Sequence, residues 1–246
     1  MTAIPLPTSE RTAPPGAGLS TALPHLENGD RLTRAEFERR YSAMPSHKKA
    51  ELIEGVVYMS SPVRIKPHAQ PHADIMGWLS IYRAATPGVL VADNGTVRLD
   101  ADNEVQPDAL MWLAPELGGR AHLSSDEYLE GAPELVVEIA ASSAAIDLNT
   151  KLNVYRRNGV REYIVWSVFD QRVDWFYLTE EGEYEPLKAD DAGVVRSKVF
   201  PGLHLAVKAL LAGDLAPVLA EAQAGVATET HKAFGAQLTA LKNQGK

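Results

Sequence analysis

Apolar residues fall along this chain in two alternating rhythms, one of period near 3.6 and one of period 2, and the switches between them mark out the elements. Thr33 is placed to cap a helix over 33–44, with Phe37 and Tyr41 four apart on one face. Residues 51–60 (ELIEGVVYMS) predict two short strands turning at Gly55. Pro71 suits a first helical position, and Ile75, Trp78, Leu79 and Tyr82 then give a helical stripe. Residues 89–99 predict a hairpin, with Asn94 and Gly95 as its turn. Strands are expected at 105–113 and 135–140, a helix over 147–158 stopped by Gly159, and a second hairpin from 163–168 and 173–178. Residues 201–211 lead into a last helix.

This order of elements predicts an α/β (α+β) domain, a mixed β-sheet flanked by helices, over 31–211. The first thirty residues hold Pro5, Pro7, Pro14, Pro15 and Pro24 without apolar periodicity, and are expected to be a disordered leader over 1–30. The Ala-rich stretch 212–246, broken by Gly225 and Gly235, predicts a helical tail that is frayed or held by a partner. No positively charged start runs into an apolar segment, and no run of about 18 apolar residues occurs, so neither a secretory signal nor a membrane span is expected. The expected location is cytoplasmic.

Composition narrows the chemistry. The 246 residues contain no cysteine, which excludes disulfides, thiolate metal sites and a cysteine nucleophile together. The net charge of -8 does not make the chain as a whole attractive to nucleic acid. Charge is uneven, however. Residues 31–66 carry eight basic side chains against four acidic ones, whereas 84–138 carry Arg98 and Arg120 against eleven carboxylates. Two solvated faces of opposite sign would explain this, as would a basic approach beside an acidic metal centre. There is no G-x-S-x-G elbow, no phosphate loop and no G-x-G-x-x-G. His68 and His72 stand four apart, but Pro71 between them argues against a paired grip on a metal.

Glu138 is the anomaly. It lies inside Leu135, Val136, Val137, Ile139 and Ala140, where burying an unpaired carboxylate would cost several kcal/mol, so a cation is expected beside it. Asp108 follows Pro107 and opens the apolar run Ala109 to Leu113. Adjacent strands could bring both acids to one sheet edge, where oxygen ligands suit Mg²⁺ or Mn²⁺. Asp147, Lys151 and Tyr155 recur at intervals of four, on one helical face. That spacing fits a solvated ion pair of Asp147 with Lys151, or a lysine turned toward the carboxylates.

These residues carry a resemblance. Gly131-Ala132-Pro133-Glu134-Leu135-Val136-Val137-Glu138, then Asp147, Lys151, Tyr155 and Gly159-Val160-Arg161-Glu162-Tyr163, resemble the Uma-two-type restriction endonuclease family of the PD-(D/E)xK nuclease superfamily. Upstream, Glu51-Leu52-Ile53-Glu54-Gly55, His72 with Ile75 and Leu79, and Pro107-Asp108 follow its blocks in order, so the similarity covers about 35–210. The resemblance implies a restriction-endonuclease-like fold and Mg²⁺- or Mn²⁺-dependent cleavage of phosphodiester bonds in nucleic acid, DNA first. It implies Asp108 and Glu138 as metal ligands, with Glu51 as an auxiliary acid. Ala140 stands where the superfamily lysine would, and the family's helical Lys151 is the substitute. His72, Asp147 and Tyr155 are accessory candidates. Ala141 and Ile164 depart from the family's usual serine and tryptophan. A competing expectation, which the net charge of -8 favours, is a non-catalytic interaction module on the same fold, its tail serving as an assembly helix in a homodimer.

Overall fold

The computed structural model describes residues 23–45, 48–60, 62–141 and 143–244. In chain order these form α1 (Arg34–Tyr41), β1 (Ala50–Ile53), β2 (Val56–Met59), a π-helical turn (Ile65–Ala69) running into α2 (Gln70–Ala85), then β3 (Val89–Asp93), β4 (Val97–Asp100), β5 (Asn103–Val105) and β6 (Ala109–Leu113). The short strands β7 (His122–Leu123) and β8 (Leu129–Glu130) precede β9 (Leu135–Ala140). A second π-helical turn (Ile146–Lys151) leads into α3 (Leu152–Asn158). The chain continues through β10 (Glu162–Ser167), β11 (Arg172–Leu178), β12 (Tyr184–Pro186), β13 (Val194–Arg196), β14 (His204–Ala206), α4 (Val207–Leu211), α5 (Leu215–Val226) and α6 (Glu229–Gln244).

The strands make two six-stranded sheets and a two-stranded ribbon. The main sheet runs β12-β11-β10-β9-β6-β3, and only its β9–β10 pair is parallel. That pair requires a crossover, supplied by the π-turn and α3. The second sheet runs β2-β1-β5-β4-β8-β7. Because side chains alternate along a strand, the main sheet has two different faces. Ala109, Met111, Val137, Ile139 and Ile164 pack with Ile75, Trp78, Leu79 and Tyr82 of α2 and with Val218 and Ala222 of α5. Here Trp78 meets Trp175 edge to face at 5.7 Å, a geometry worth about 0.5–1.5 kcal/mol beyond simple burial. The opposite face presents Leu110, Trp112, Val136, Ala140, Tyr163 and Val165 to Ile53, Val97, Val105 and Leu129 of the second sheet and to Val154 and Tyr155 of α3. Glu138 shares the parity of Val136 and Ala140, so it belongs to this second face.

Several expectations are met. The Thr33 hydroxyl accepts from the Glu36 N–H, and Gly159 ends α3 at φ 81° with the Val160 N–H returning to the Tyr155 carbonyl. Others are corrected. The expected 89–99 hairpin does not form: β3 pairs with β6, while β4 pairs with β5 and β8 in the other sheet. Asn94 and Gly95 instead lie where the chain passes from one sheet to the other. The expected strand 105–113 is likewise split at Gln106, Pro107 and Asp108, because Pro107 cannot donate to a ladder. Of the expected leader, 1–22 lies outside the described residues. Its last part is corrected: Leu26 is buried with Phe37, Leu52 and Val57, and the Gly29 N–H bonds the Val57 carbonyl. The Ala-rich tail is neither frayed nor single. It forms α5, packed on α2, and α6, whose Leu238 sits with Ala114 and Leu117.

Candidate active site

The crossing between sheets builds the site. At Gln106 the chain leaves the second sheet, and its N–H is given to the Glu51 carboxylate (2.7 Å), which β1 aims inward. Three residues later β6 begins in the main sheet. Its register with β9, Ala109 opposite Val137, continued by one residue sets Asp108 opposite Glu138 on the same face. The Asp108 carboxylate also accepts from the Ile139 N–H at 2.6 Å, which fixes it against β9. Thus Pro107, which ends one strand, and the apolar run that starts the next together place the acid.

The crossover after β9 supplies the cation. The π-turn and α3 fold back so that Lys151 Nζ lies 3.0 Å from Glu138 Oε1 and 3.0 Å from Glu51 Oε1, with Asp147 at 3.9 Å. Tyr155, one helical turn on, donates its hydroxyl to the same Glu138 Oε1 at 2.8 Å. Asp147 in turn accepts from the Ser143 hydroxyl at 2.5 Å. Of the two open readings of Lys151, the geometry selects the one turned toward the carboxylates: its side chain is only 6% exposed.

Three carboxylates, Glu138, Glu51 and Asp147, therefore lie within 4 Å of one ammonium, and Asp108, opposite Glu138, pairs with His68. Burial pushes the Glu138 carboxyl well above the usual range; Lys151 opposes this, while Asp147, Asp108 and Glu51 add to it. Asp147 is raised for the same leading reason, burial. Burial pulls the Lys151 ammonium down, but Glu138, Glu51 and Asp147 outweigh it and hold its pKa above the ordinary lysine value. The pocket thus sets four carboxyl groups against two cationic partners, Lys151 and His68, a shortfall of positive groups.

That deficit is the test of fit for a divalent ion. Hard oxygen donors in negative excess suit Mg²⁺ or Mn²⁺. Glu138 spends Oε1 on both Lys151 and Tyr155, which leaves its second oxygen for another partner. Among the described residues no three His, Asp or Glu side chains converge as a ready cage. Mg²⁺ does not call for one, since it is commonly held by one or two carboxylates with waters and substrate phosphate. The residues fit the ion.

His72, an accessory candidate, stands apart: its Nε2 lies 3.2 Å from Asp93. The histidine at Asp108 is His68, whose Nε2 lies 3.2 Å from Oδ1. The Asp108 hydrogen bond raises the His68 pKa, against burial. Sequence reasoning missed this contact because it treated Pro71 as a break. In the structure the π-turn and α2 run on continuously through Pro71, with His68 and His72 rings 6.2 Å apart. A helix tolerates proline in its first turn, and that was the available signal.

The mixed sheet, flanking helices and buried acids at its crossing define a restriction-endonuclease-like fold. The model of the Uma2 family, described as "putative restriction endonuclease", matches residues 34–208, and the chain belongs to that family. A crystal structure of a putative nuclease belonging to DUF820 from Anabaena variabilis is similar, with a TM-score of 0.54 and 15% identity over 71% of this chain and 96% of that one. At that identity the likeness is one of fold. No curated protein matches the chain.

Proposed function

We propose that the chain is a divalent-metal-dependent endonuclease that hydrolyses phosphodiester bonds in nucleic acid, DNA being the first substrate to test. The observation that carries this reading is the set of Glu138, Glu51 and Asp147 around Lys151, with Asp108 opposite Glu138, in which acids outnumber the cationic partners Lys151 and His68. Asp108 and Glu138 would hold Mg²⁺ or Mn²⁺. When bound, the ion supplies Lewis-acid polarisation of the phosphate and a water of lowered pKa. Lys151 presents a compact positive charge to a phosphate oxygen or to the attacking water, offsetting the charge that grows during attack. Tyr155 fixes the rotamer of Glu138, and the Gln106 N–H fixes Glu51, which can take a proton from the water. Hydrolysis breaks the bond from phosphorus to the leaving oxygen, which departs with a proton.

The test combines a supercoiled-plasmid nicking assay with calorimetric Mn²⁺ titration of wild type and Asp108→Asn. Wild type should nick only with Mg²⁺ or Mn²⁺. The variant should lose activity and most of its Mn²⁺ affinity while melting cooperatively. Equal Mn²⁺ affinities would refute the ligand assignment and leave the non-catalytic module, in which Lys151 serves only to neutralise Glu138.

A further inference from the structure

An acidic pocket cannot attract a polyanion by itself, so a nuclease of this kind needs cations beside it. Those cations lie at one place on the rim. The segment 63–66, which enters the first π-turn, reads Val63, Arg64, Ile65, Lys66, and all four side chains are exposed. Val63 is 62% and Ile65 71% exposed, unusual for large apolar residues in so short a stretch. Two residues beyond Lys66, His68 rests on Asp108, so the segment adjoins the acid cluster directly. Lys49, also exposed, lies close enough to act on His68 electrostatically and reaches Asn94 Oδ1 at 3.4 Å.

We propose that 63–66 is the docking edge for a nucleic-acid strand, with Arg64, Lys66 and Lys49 on its phosphates and Val63 and Ile65 against the faces of unstacked bases. This rests on the nuclease reading and deepens it, by naming the substrate class as a strand with unstacked bases. Basic side chains meet phosphates whatever the sequence, whereas exposed apolar side chains next to them add nothing in water unless a hydrophobic surface is offered. Base faces offer one once they are unstacked. An anionic bilayer would also offer charge and apolar depth. It is a broad plane, however, and the acids one turn away would repel it, while a single phosphodiester can enter beside them with a divalent cation.

The test is fluorescence anisotropy with a labelled 20-mer single strand, the matching duplex, and phosphatidylglycerol vesicles. Ca²⁺ replaces Mg²⁺, taking the same oxygen ligands in looser geometry. Wild type should bind the single strand more tightly than the duplex. The Arg64→Ala/Lys66→Ala double variant should weaken both by roughly tenfold and lower the slope of log affinity against log salt by about two, one per phosphate contact. Ile65→Ser should weaken the single strand by roughly fivefold and the duplex little. All three positions are exposed, and unchanged melting curves check that the variants fold. If wild type nicks plasmid but the variants bind and discriminate as wild type does, this inference falls and the nuclease reading stands. If the vesicles bind in preference, the inference falls. If wild type neither binds nor cuts any nucleic acid with Mg²⁺ or Mn²⁺, both fall together.

Discussion

Among the described residues two clusters gather carboxylates around a cation, four within 4 Å of Arg98 and three within 4 Å of Lys151. At Arg98 the guanidinium grips Asp126 through two bonds of 2.9 Å, lies 3.0 Å from Glu38, 3.5 Å from Glu104 and 3.6 Å from Glu130, and stacks over Tyr128 at 4.4 Å. It opens on a surface cavity of about 330 Å³ lined by Glu38, Arg98, Glu104, Asp126 and Tyr128. Three of its acids, Glu38, Asp126 and Glu130, stand partly in water. The Lys151 cluster is smaller and drier: its three acids are at most 15% exposed, and its cation is a point charge rather than a five-donor fork. Water screens the first cluster, and the planar fork bonds Asp126 twice, while Arg98 Nε, Glu38 Oε1 and Glu104 Oε2 form no aligned hydrogen bond. Neither is available to Lys151, which meets Glu138 and Glu51 by one bond of 3.0 Å each. The number of acids does not distinguish a structural ion cluster from a site; solvent and the shape of the cation do.

The largest expected effect that separates the two comes from Lys151→Ala. Removing the cation that lies within 4 Å of Glu138, Glu51 and Asp147 should cost about 3–5 kcal/mol of stability in EDTA. Saturating Mn²⁺ should restore about 2–3 kcal/mol at roughly a hundred times its dissociation constant. Urea denaturation at pH 7.5 with and without Mn²⁺ measures both. A variant that loses less than 1 kcal/mol would place Lys151 in water after all. Arg98→Ala should come next, at about 2 kcal/mol, between the limits for exposed and buried pairs, and Mn²⁺ should not rescue it. Rescue at Arg98 as strong as at Lys151 would erase the distinction drawn here.

The smallest effect is in pH. Burial, reinforced by Glu38, raises the Glu104 carboxyl, with Arg98 opposing, to about 7. A carboxyl raised on folding favours the native state while protonated. Its contribution is complete below the unfolded value near 4.5 and is lost as pH rises through about 7. Glu104→Gln stays neutral, so across pH 5 to 8 its stability relative to wild type should improve by about 1 kcal/mol, allowing for water at the cavity mouth. Parallel pH profiles for the two proteins would show that Glu104 does not titrate in that window.

The legible part of the site was the part held on single elements. Glu138 stood out as a charge in an apolar strand, Asp108 as an acid opening one, and Asp147, Lys151 and Tyr155 as a periodic face. Each signal is local. What could not be read was anything that depends on two sheets meeting. The passage at Asn94 and Gly95 has the composition of a tight hairpin, and nothing local says that β3 and β4 will take partners in different sheets. The Arg98 cluster joins Glu38, Glu104, Asp126 and Glu130, residues up to 92 positions apart in sequence, so only tertiary packing assembles it. His68 was obscured for another reason. A π-turn changes which residues share a face, and its composition carries no distinct signature. The tail shows the reverse error: Gly225 and Gly235 weaken an otherwise Ala-rich stretch, and the packing of Val218, Ala222 and Leu238 outweighs them.

The contact between Glu51 and Lys151 spans 100 residues of sequence. Contacts of such separation carry the loop-closure cost of everything between them, and they form late. During synthesis, Glu51 leaves the ribosome long before Lys151, and Glu138 shortly before it. A nascent or half-folded chain thus holds these acids dispersed in water, where each behaves as an ordinary surface carboxylate. Only when both sheets have closed on the crossover do they share one dry pocket. The topology acts as a timer: these acids share no common centre until both sheets and the crossover between β9 and β10 have been made and folded.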